Sequence, residues 1–247
     1  MEKRCIIACK VLWREISYLA SLSPYYYDIF YLHQGLHDEP PKLKQQLQSR
    51  IDELEKEYDV ILVGYGLCSN GIVGIRSRSA KLVFMRGHDC ITFFLGSKEK
   101  YRDLFDRLPG TYWYTTGWIE TSGISNNEEY YQKKYKEYLE KYDEDTAQYL
   151  IDTKKIWFKN YNTLSFIKEG ITDESEYISI ARDSAEYSNL DYKEIPGDLD
   201  LLKDWIFGNW NNDRFLILMP GHAVEASFEE RTIIQSGQSM DLHEEPQ

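Results

Sequence analysis

The stretch Asp59-Val-Ile-Leu-Val-Gly64 is an unbroken apolar run that ends at a glycine. A run without alternation of polar and apolar residues is typical of a strand that is buried on both faces of a parallel sheet. A glycine-rich stretch follows at once, Tyr65–Gly74 (YGLCSNGIVG), and then a second apolar run, Lys81–Met85 (KLVFM). Together these segments predict two central strands and the loop that leaves the first of them.

Similar units repeat on both sides of this centre. Before it, Cys5–Cys9 (CIIAC) is a predicted strand, and Val11, Leu12, Ile16, Leu19 and Leu22 recur at helical spacing. Further predicted strands lie at Tyr26–Leu32, Thr111–Thr116, Trp157–Tyr161, Asp191–Ile195 and Arg214–Pro220, with helical patterns between them. Alternating strands and helices predict an α/β protein with a mostly parallel, doubly wound, Rossmann-like sheet.

The pattern predicts a single α/β domain over residues 1–226. Within it, the segment from about 125 to 155 is rich in charge and carries tyrosines at helical spacing, which indicates an inserted helical segment. Residues 227–247 are mostly polar and acidic, and we expect a C-terminal tail there.

Composition limits the possible partners. The formal net charge is −12, and no run is rich in Lys and Arg, so the chain lacks the basic face that nucleic acids or anionic membranes require. No apolar run approaches the roughly 20 residues that span a bilayer, and the first residues lack a signal-peptide cleavage pattern. We expect a cytoplasmic protein whose four cysteines are free core thiols, metal ligands or nucleophiles.

Most cysteines and histidines fall just after predicted strands. In open α/β sheets, ligands bind beyond the carboxyl ends of the strands. Residues that follow predicted strands are Cys9, His33, His37, Cys68, His88, Cys90 and His222. Because thiolate and imidazole are the ligands that Zn²⁺ prefers, this edge predicts a zinc site formed by Cys9, His37, Cys68, His88 and Cys90. Each residue also has an ordinary alternative: a lone buried cysteine is usually a small core residue, and Cys5 is interpreted in that way.

The glycine-rich stretch has three explanations. The glycines allow a tight turn, or they cradle a phosphate, or they let a ligand approach the backbone beside Cys68. Neither GxGxxG nor GxxxxGK[ST] is matched, which weakens the phosphate alternative. The ligand-binding candidates that follow from this region and from nearby loops are Gly66, Asn70, Gly71, Arg86 and Trp118.

Four segments carry a resemblance to a known family: residues 5–16 (CIIACKVLWREI), 36–43 (LHDEPPKL), 59–101 and 109–120 (PGTYWYTTGWIE). In this order they resemble a prokaryotic domain family of unknown function, whose members are often encoded beside corrinoid-dependent methyltransferases in methanogens and anaerobic bacteria. The family pattern includes the positions of Cys9, His37, Cys68, His88 and Cys90. The resemblance implies a link to one-carbon metabolism and supplies no settled reaction.

Four functions remain open at this point. The first is a zinc-dependent protein of corrinoid-linked methyl metabolism, in which the ion activates a small thiol substrate for methyl transfer. The chain lacks the DxHxxG corrinoid-binding pattern, so a corrinoid would be carried by a partner protein. The second is a non-catalytic metal- or cofactor-handling protein. The third is a transferase with Cys68 or Cys90 as nucleophile and His88 as base, and the fourth is a structural module.

Overall fold

Strands and helices alternate along the chain in the computed structural model, which describes residues 2–124, 127–229 and 232–237. The strands are β1 (Arg4–Cys9), β2 (Asp28–Leu32), β3 (Val60–Gly64), β4 (Lys81–Met85), β5 (Thr111–Tyr114), β6 (Thr163–Lys168), β7 (Asp191–Pro196), β8 (Phe215–Leu218), β9 (Val224–Ala226) and β10 (Ile234–Ser236). The helices are α1 (Trp13–Leu22), α2 (Pro40–Leu54), α3 (Cys90–Leu95), α4 (Lys98–Arg107), α5 (Thr116–Ser122), α6 (Glu128–Leu139), α7 (Glu144–Phe158), α8 (Ser175–Tyr187) and α9 (Asp200–Phe207). The predicted α/β class is confirmed.

The chain divides into two compact units. Unit 1 comprises residues up to 101 together with those from 198 onward, and unit 2 comprises residues 102–197. Each unit has its own sheet, which is mixed in unit 1 and parallel in unit 2. The described strands therefore form more than the one mostly parallel sheet that was expected, because apolar runs report that a strand is buried but not which strands pair with it.

The main sheet of unit 1 has the strand order β2-β1-β3-β4-β8. The first four strands are parallel, while β8 runs antiparallel to β4 at the edge. All five residues of β3 are buried, as the run from Asp59 to Gly64 predicted. The chain leaves β1 for β2 on one side and returns as β3 on the other, so the order of strands reverses between β1 and β3.

Close packing surrounds this reversal. Gly64 faces Ala8 across the β1–β3 ladder, and a Cβ atom on Gly64 would lie 2.7 Å from the Ala8 Cβ and 3.1 Å from the ring of Trp205. Trp205 of α9 is fully buried, and its indole N–H donates to the Val83 carbonyl at 3.0 Å. Because interiors are packed as densely as organic crystals, the glycine is required for the helix to reach the sheet.

Unit 2 is built on the parallel sheet β5-β6-β7. Its buried core includes Tyr114, Leu164, Phe166, Ala181 and Ala185. A helical segment between β5 and β6 was predicted from about residue 125, and α6 and α7 are present there and pack against each other; Ser125 and Asn126 lie outside the described residues.

The predicted strand at residues 157–161 was wrong, because Trp157 and Phe158 end α7. The buried side chains of that helix recur at helical spacing, at Ala147, Ile151 and Phe158. The strand instead begins at Thr163.

The expected C-terminal tail is partly structured. Strand β10 pairs antiparallel with β9, with Ile234 opposite Ala226. Ile233 and Ile234 are almost fully buried. This pair of apolar residues within a polar segment accounts for the pairing of β10 with β9. The last ten residues lie outside the described part of the chain. Within the described ranges, no helix combines the length and the apolar character that a membrane crossing requires.

Candidate functional site

Three cysteines lie at one edge of the unit 1 sheet. Cys9 is the last residue of β1, Cys68 follows β3 by four residues, and Cys90 begins α3 after β4. The three strands are parallel neighbours, with a spacing of about 4.8 Å between adjacent strands. Their carboxyl ends therefore bring the thiols to the place where the strand order reverses, which is where open α/β sheets bind ligands.

Backbone hydrogen bonds join the loop after β3 to the loop after β4. The N–H of Leu67 donates to the Gly87 carbonyl, and the N–H of Cys68 donates to the His88 carbonyl, both at 2.9 Å. Gly66 makes this approach possible, because a Cβ atom there would lie only 2.8 Å from the backbone of Asp89. The loops that carry Cys68 and Cys90 thus have a fixed separation.

Cys68 begins a turn with an unusual backbone. Cys68, Ser69 and Asn70 have φ values of 45°, 54° and 67°, so three consecutive residues with side chains are in the left-handed region. That conformation costs roughly 1–2 kcal/mol for each such residue. The turn is closed by a hydrogen bond from the Gly71 N–H to the Cys68 carbonyl at 3.0 Å, and Gly71 packs directly against Leu43. Strain of this kind is often found at functional sites, and here it includes one of the three thiols.

The thiols influence one another electrostatically. Burial, then Asp89, then Cys9 raise the pKa of Cys68 to about 12. Burial raises the pKa of Cys9 to about 11. Burial raises the pKa of Cys90 well above its ordinary value, and the charges of Asp89, Cys9 and Cys68 raise it further. The three sulfur atoms therefore share one environment and stay protonated at neutral pH unless a cation is present.

Asp89 adds a fourth acidic group that the sequence analysis did not select. Its carboxylate accepts hydrogen bonds from the Ile91 N–H at 3.0 Å and from the Tyr101 hydroxyl at 2.9 Å. Burial raises the pKa of Asp89, although these hydrogen bonds oppose the effect. The signal that could have identified it is its position before Cys90, where an aspartate is a preferred N-cap of a helix.

The histidines that follow predicted strands lie in different surroundings. His88 is exposed, although its carbonyl is part of the loop contact. His37 lies in the short 3-10 helix Leu36–Asp38, and its Nε2 is 3.3 Å from the Asp38 carboxylate. His222 follows β8. Because β8 is antiparallel to β4, this histidine lies near the amino-terminal ends of the parallel strands, at the opposite end of the sheet from the thiols.

The predicted ligand-binding residues also divide into groups. Gly66 and Gly71 shape the loop beside Cys68, and Asn70 is exposed on its turn. Arg86 instead holds the C-terminal segment, since its guanidinium donates to the carbonyls of Asn212, Thr232 and Ile234. Trp118 belongs to unit 2, where its ring packs edge-on against Tyr112.

Among the residues that the structure describes, no group of three or more His, Cys, Asp or Glu side chains is arranged so that it could hold a metal ion. The three thiols are therefore neighbours without forming a ready-made coordination shell. Thiolates are preferred ligands of soft cations, but burial is the main cause that keeps these thiols protonated, so a cation would have to displace their protons.

Comparison with known proteins identifies the family of this chain. No curated protein and no solved structure matches the chain. One family model, described as a protein of unknown function (DUF1638), matches residues 31–206, which is more than half of the chain. The matched range contains β3, β4 and the loops that carry Cys68 and Cys90. The chain therefore belongs to the DUF1638 family of proteins of unknown function.

Proposed function

We propose that Cys9, Cys68 and Cys90 bind a soft metal ion, with zinc the best candidate, at the carboxyl edge of the unit 1 sheet. The observation that carries this proposal is the convergence of three thiols from three parallel strand ends, together with the hydrogen bonds that join two of their loops. Zinc suits three sulfur ligands with one position left open.

The charges around the thiols favour a metal ligand over a nucleophile. A reactive cysteine needs a positive neighbour, such as a histidinium or a lysine, to stabilise its thiolate. Here burial is the first cause that raises the pKa of both Cys68 and Cys90, and the Asp89 carboxylate and the Cys9 thiol raise both further. His88 is exposed. An anion is disfavoured in such surroundings, whereas a divalent cation is favoured.

The family resemblance extends the proposal to one-carbon metabolism. In that version the open position would take a small thiol substrate, the ion would hold it as the thiolate, and a corrinoid carried by a partner protein would exchange the methyl group. Residues of this chain would bind and orient the substrate.

A second candidate is a metal-handling protein without catalysis. It is favoured by the lack of a preformed metal-binding group among the described residues, because catalytic sites depend on ligands held in place beforehand, whereas a protein that takes up and releases an ion can rearrange. Cobalt substitution separates the two: a change of the visible spectrum on addition of a small thiol supports the open, catalytic site.

The central test measures zinc content and affinity after purification without oxygen, for wild type and for Cys9→Ala, Cys68→Ala and Cys90→Ala. The matched control is Cys5→Ala, since Cys5 is buried in the same strand as Cys9 but its thiol lies near Asp28 and Glu57. We expect wild type and the control to bind one ion, and each other variant to lose affinity by more than about 100-fold. Wild type that binds no zinc, or a control that loses zinc equally, would contradict the proposal.

A further inference from the structure

Helix α7 of unit 2 has apolar side chains on two opposite faces. Ala147, Ile151 and Phe158 form its buried face. Successive residues of an α-helix are about 100° apart, so Tyr149 and Ile156 point in nearly the same direction, opposite to the buried face. Tyr149 is 68% exposed and Ile156 is 62% exposed. The helix therefore presents a second apolar face to solvent.

Trp157 extends this exposed face at the C-terminal end of α7. It is 54% exposed, and its ring lies edge-on to that of Tyr161, with the ring centroids 5.1 Å apart. Single exposed apolar residues are ordinary on protein surfaces, whereas contiguous groups of them mark contact surfaces. A helix that is apolar on both sides is usually buried on both sides. The outer face of α7, formed by Tyr149, Ile156 and Trp157, therefore has the character of an interface.

Charged side chains follow one flank of this outer face. Asp145, Asp152 and Lys159 are all exposed, and because seven residues span nearly two helical turns, the three lie in a line along the helix. Lys159 directly follows the last residue of α7 and keeps the helical conformation. The line is acidic at its N-terminal end and basic at its C-terminal end. This order of charges is complementary to itself when two such helices pack antiparallel.

We propose that the outer face of α7 packs against the same face of a second copy of this chain, with the two helices antiparallel about a two-fold axis. When Tyr149 of one copy lies opposite Ile156 of the other, Asp145 of each copy lies beside Lys159 of the other. The two Asp152 carboxylates come near each other at the axis, where they repel. The inference goes beyond the proposed metal binding and does not depend on it.

The apolar and the charged residues have different parts in this contact. Burial of apolar surface supplies most of the free energy of association. Exposed ion pairs add little to it, but like charges placed side by side are costly. A parallel arrangement would bring Asp145 to Asp145 and Lys159 to Lys159. The charges therefore select the antiparallel direction.

The first test measures the dimer dissociation constant by sedimentation velocity over a range of protein concentrations. Wild type should dimerise. Ile156→Ser should raise the dissociation constant by more than about 10-fold, because each dimer loses two apolar side chains from its centre. The matched control is Phe105→Ser in α4 of the same unit, since Phe105 is 61% exposed but does not belong to the outer face. The control should dimerise as wild type does.

The second test exchanges the charges. Asp145→Lys and Lys159→Asp each bring like charges together twice in a dimer, so each variant alone should have a dissociation constant raised by more than about 10-fold. An equimolar mixture of the two variants should form a mixed dimer with nearly the affinity of wild type, because the facing charges are again opposite. Asp152→Asn should instead strengthen association, since it removes the repulsion at the two-fold axis.

Wild type that stays monomeric at every concentration would overturn the second copy as the occupant of this face, in favour of a different protein. Equal weakening by Ile156→Ser and Phe105→Ser would overturn the assignment of the interface to α7. A mixture of the two charge variants that stays monomeric, or weaker association of Asp152→Asn, would overturn the antiparallel pairing. Circular dichroism of each variant confirms its helical content, and recovery in the mixture itself shows that both charge variants are folded.

Discussion

Replacement of Gly66 by Ala tests whether the two thiol-bearing loops depend on direct backbone contact. The new Cβ atom would lie 2.8 Å from Cα and N of Asp89 and 3.0 Å from the Gly87 oxygen. Carbon atoms in contact prefer separations of about 3.5–4.0 Å, so the loops must move apart by roughly 0.7 Å. No side-chain rotation can relieve the clash, because the opposing atoms belong to the backbone.

The expected cost follows from that displacement. The hydrogen bonds from Leu67 to Gly87 and from Cys68 to His88 are both 2.9 Å long, and an increase to about 3.6 Å would break them. Loss of two hydrogen bonds at about 1 kcal/mol each, with about 1–3 kcal/mol for overpacking, gives a destabilisation of about 3–5 kcal/mol. Metal affinity should fall as well, since Cys68 moves away from Cys90.

The assay is urea unfolding of metal-free protein combined with amide hydrogen exchange in the peptide that covers residues 65–71. The matched control is Gly123→Ala in unit 2, where a Cβ atom meets nothing within 4 Å but φ is +72°. At Gly123 ψ is −173°, so that variant carries only the cost of an extended backbone with positive φ, about 1–3 kcal/mol, and should leave exchange in the 65–71 peptide unchanged. If Gly66→Ala unfolds and exchanges as wild type does, the argument for a rigid contact between the loops is wrong.

Two further predictions concern unit 1. Arg86→Met removes the hydrogen bonds to the carbonyls of Asn212, Thr232 and Ile234, and we expect a loss of about 2–4 kcal/mol with early proteolysis after residue 226; protease resistance equal to wild type would count against a structural role for Arg86. For alkaline pH, the folded protein holds the pKa of Cys68 at about 12, above the value of about 8.5 in unfolded chains. The unfolded state therefore loses this proton first, and the contribution of Cys68 to stability, complete below about pH 8.5, should decline as pH rises toward 12. The assay is urea unfolding of metal-free wild type and Cys68→Ala across this pH range. The free energy of unfolding of the variant should rise relative to that of wild type as pH increases. A difference between the two proteins that does not change with pH would refute the raised pKa of Cys68.

Local sequence determined the elements around the site. The apolar run from Asp59 to Gly64 specifies a strand because burial on both faces removes any alternation, and the helical spacing of the segments beside it specifies amphipathic helices because burial of one face imposes a period of 3.6 residues. The apolar runs also locate Cys9, Cys68 and Cys90 at or just after the ends of predicted strands. Since the carboxyl ends of parallel strands lie at a common end of the sheet, the sequence alone predicts that these residues are neighbours.

Strand pairing was decided only by the tertiary structure. Backbone N–H and C=O groups are the same in every residue, so hydrogen bonding carries little information about which strand lies beside which. The division into two sheets and the antiparallel direction of β8 arise from packing between distant segments. Because of the direction of β8, His222 lies at the end of the sheet opposite to the thiols.

The sequence by itself therefore determined the α/β class, the family and the three thiols that follow buried strands. Only the tertiary structure decided which polar groups join them. Tyr65 and Asp89 face the thiols because of the register of β1 with β3 and the cap of α3, while the guanidinium of Arg86 is bound by carbonyls far along the chain. A side chain's partner depends on three-dimensional packing between segments, whereas its burial depends largely on the local pattern.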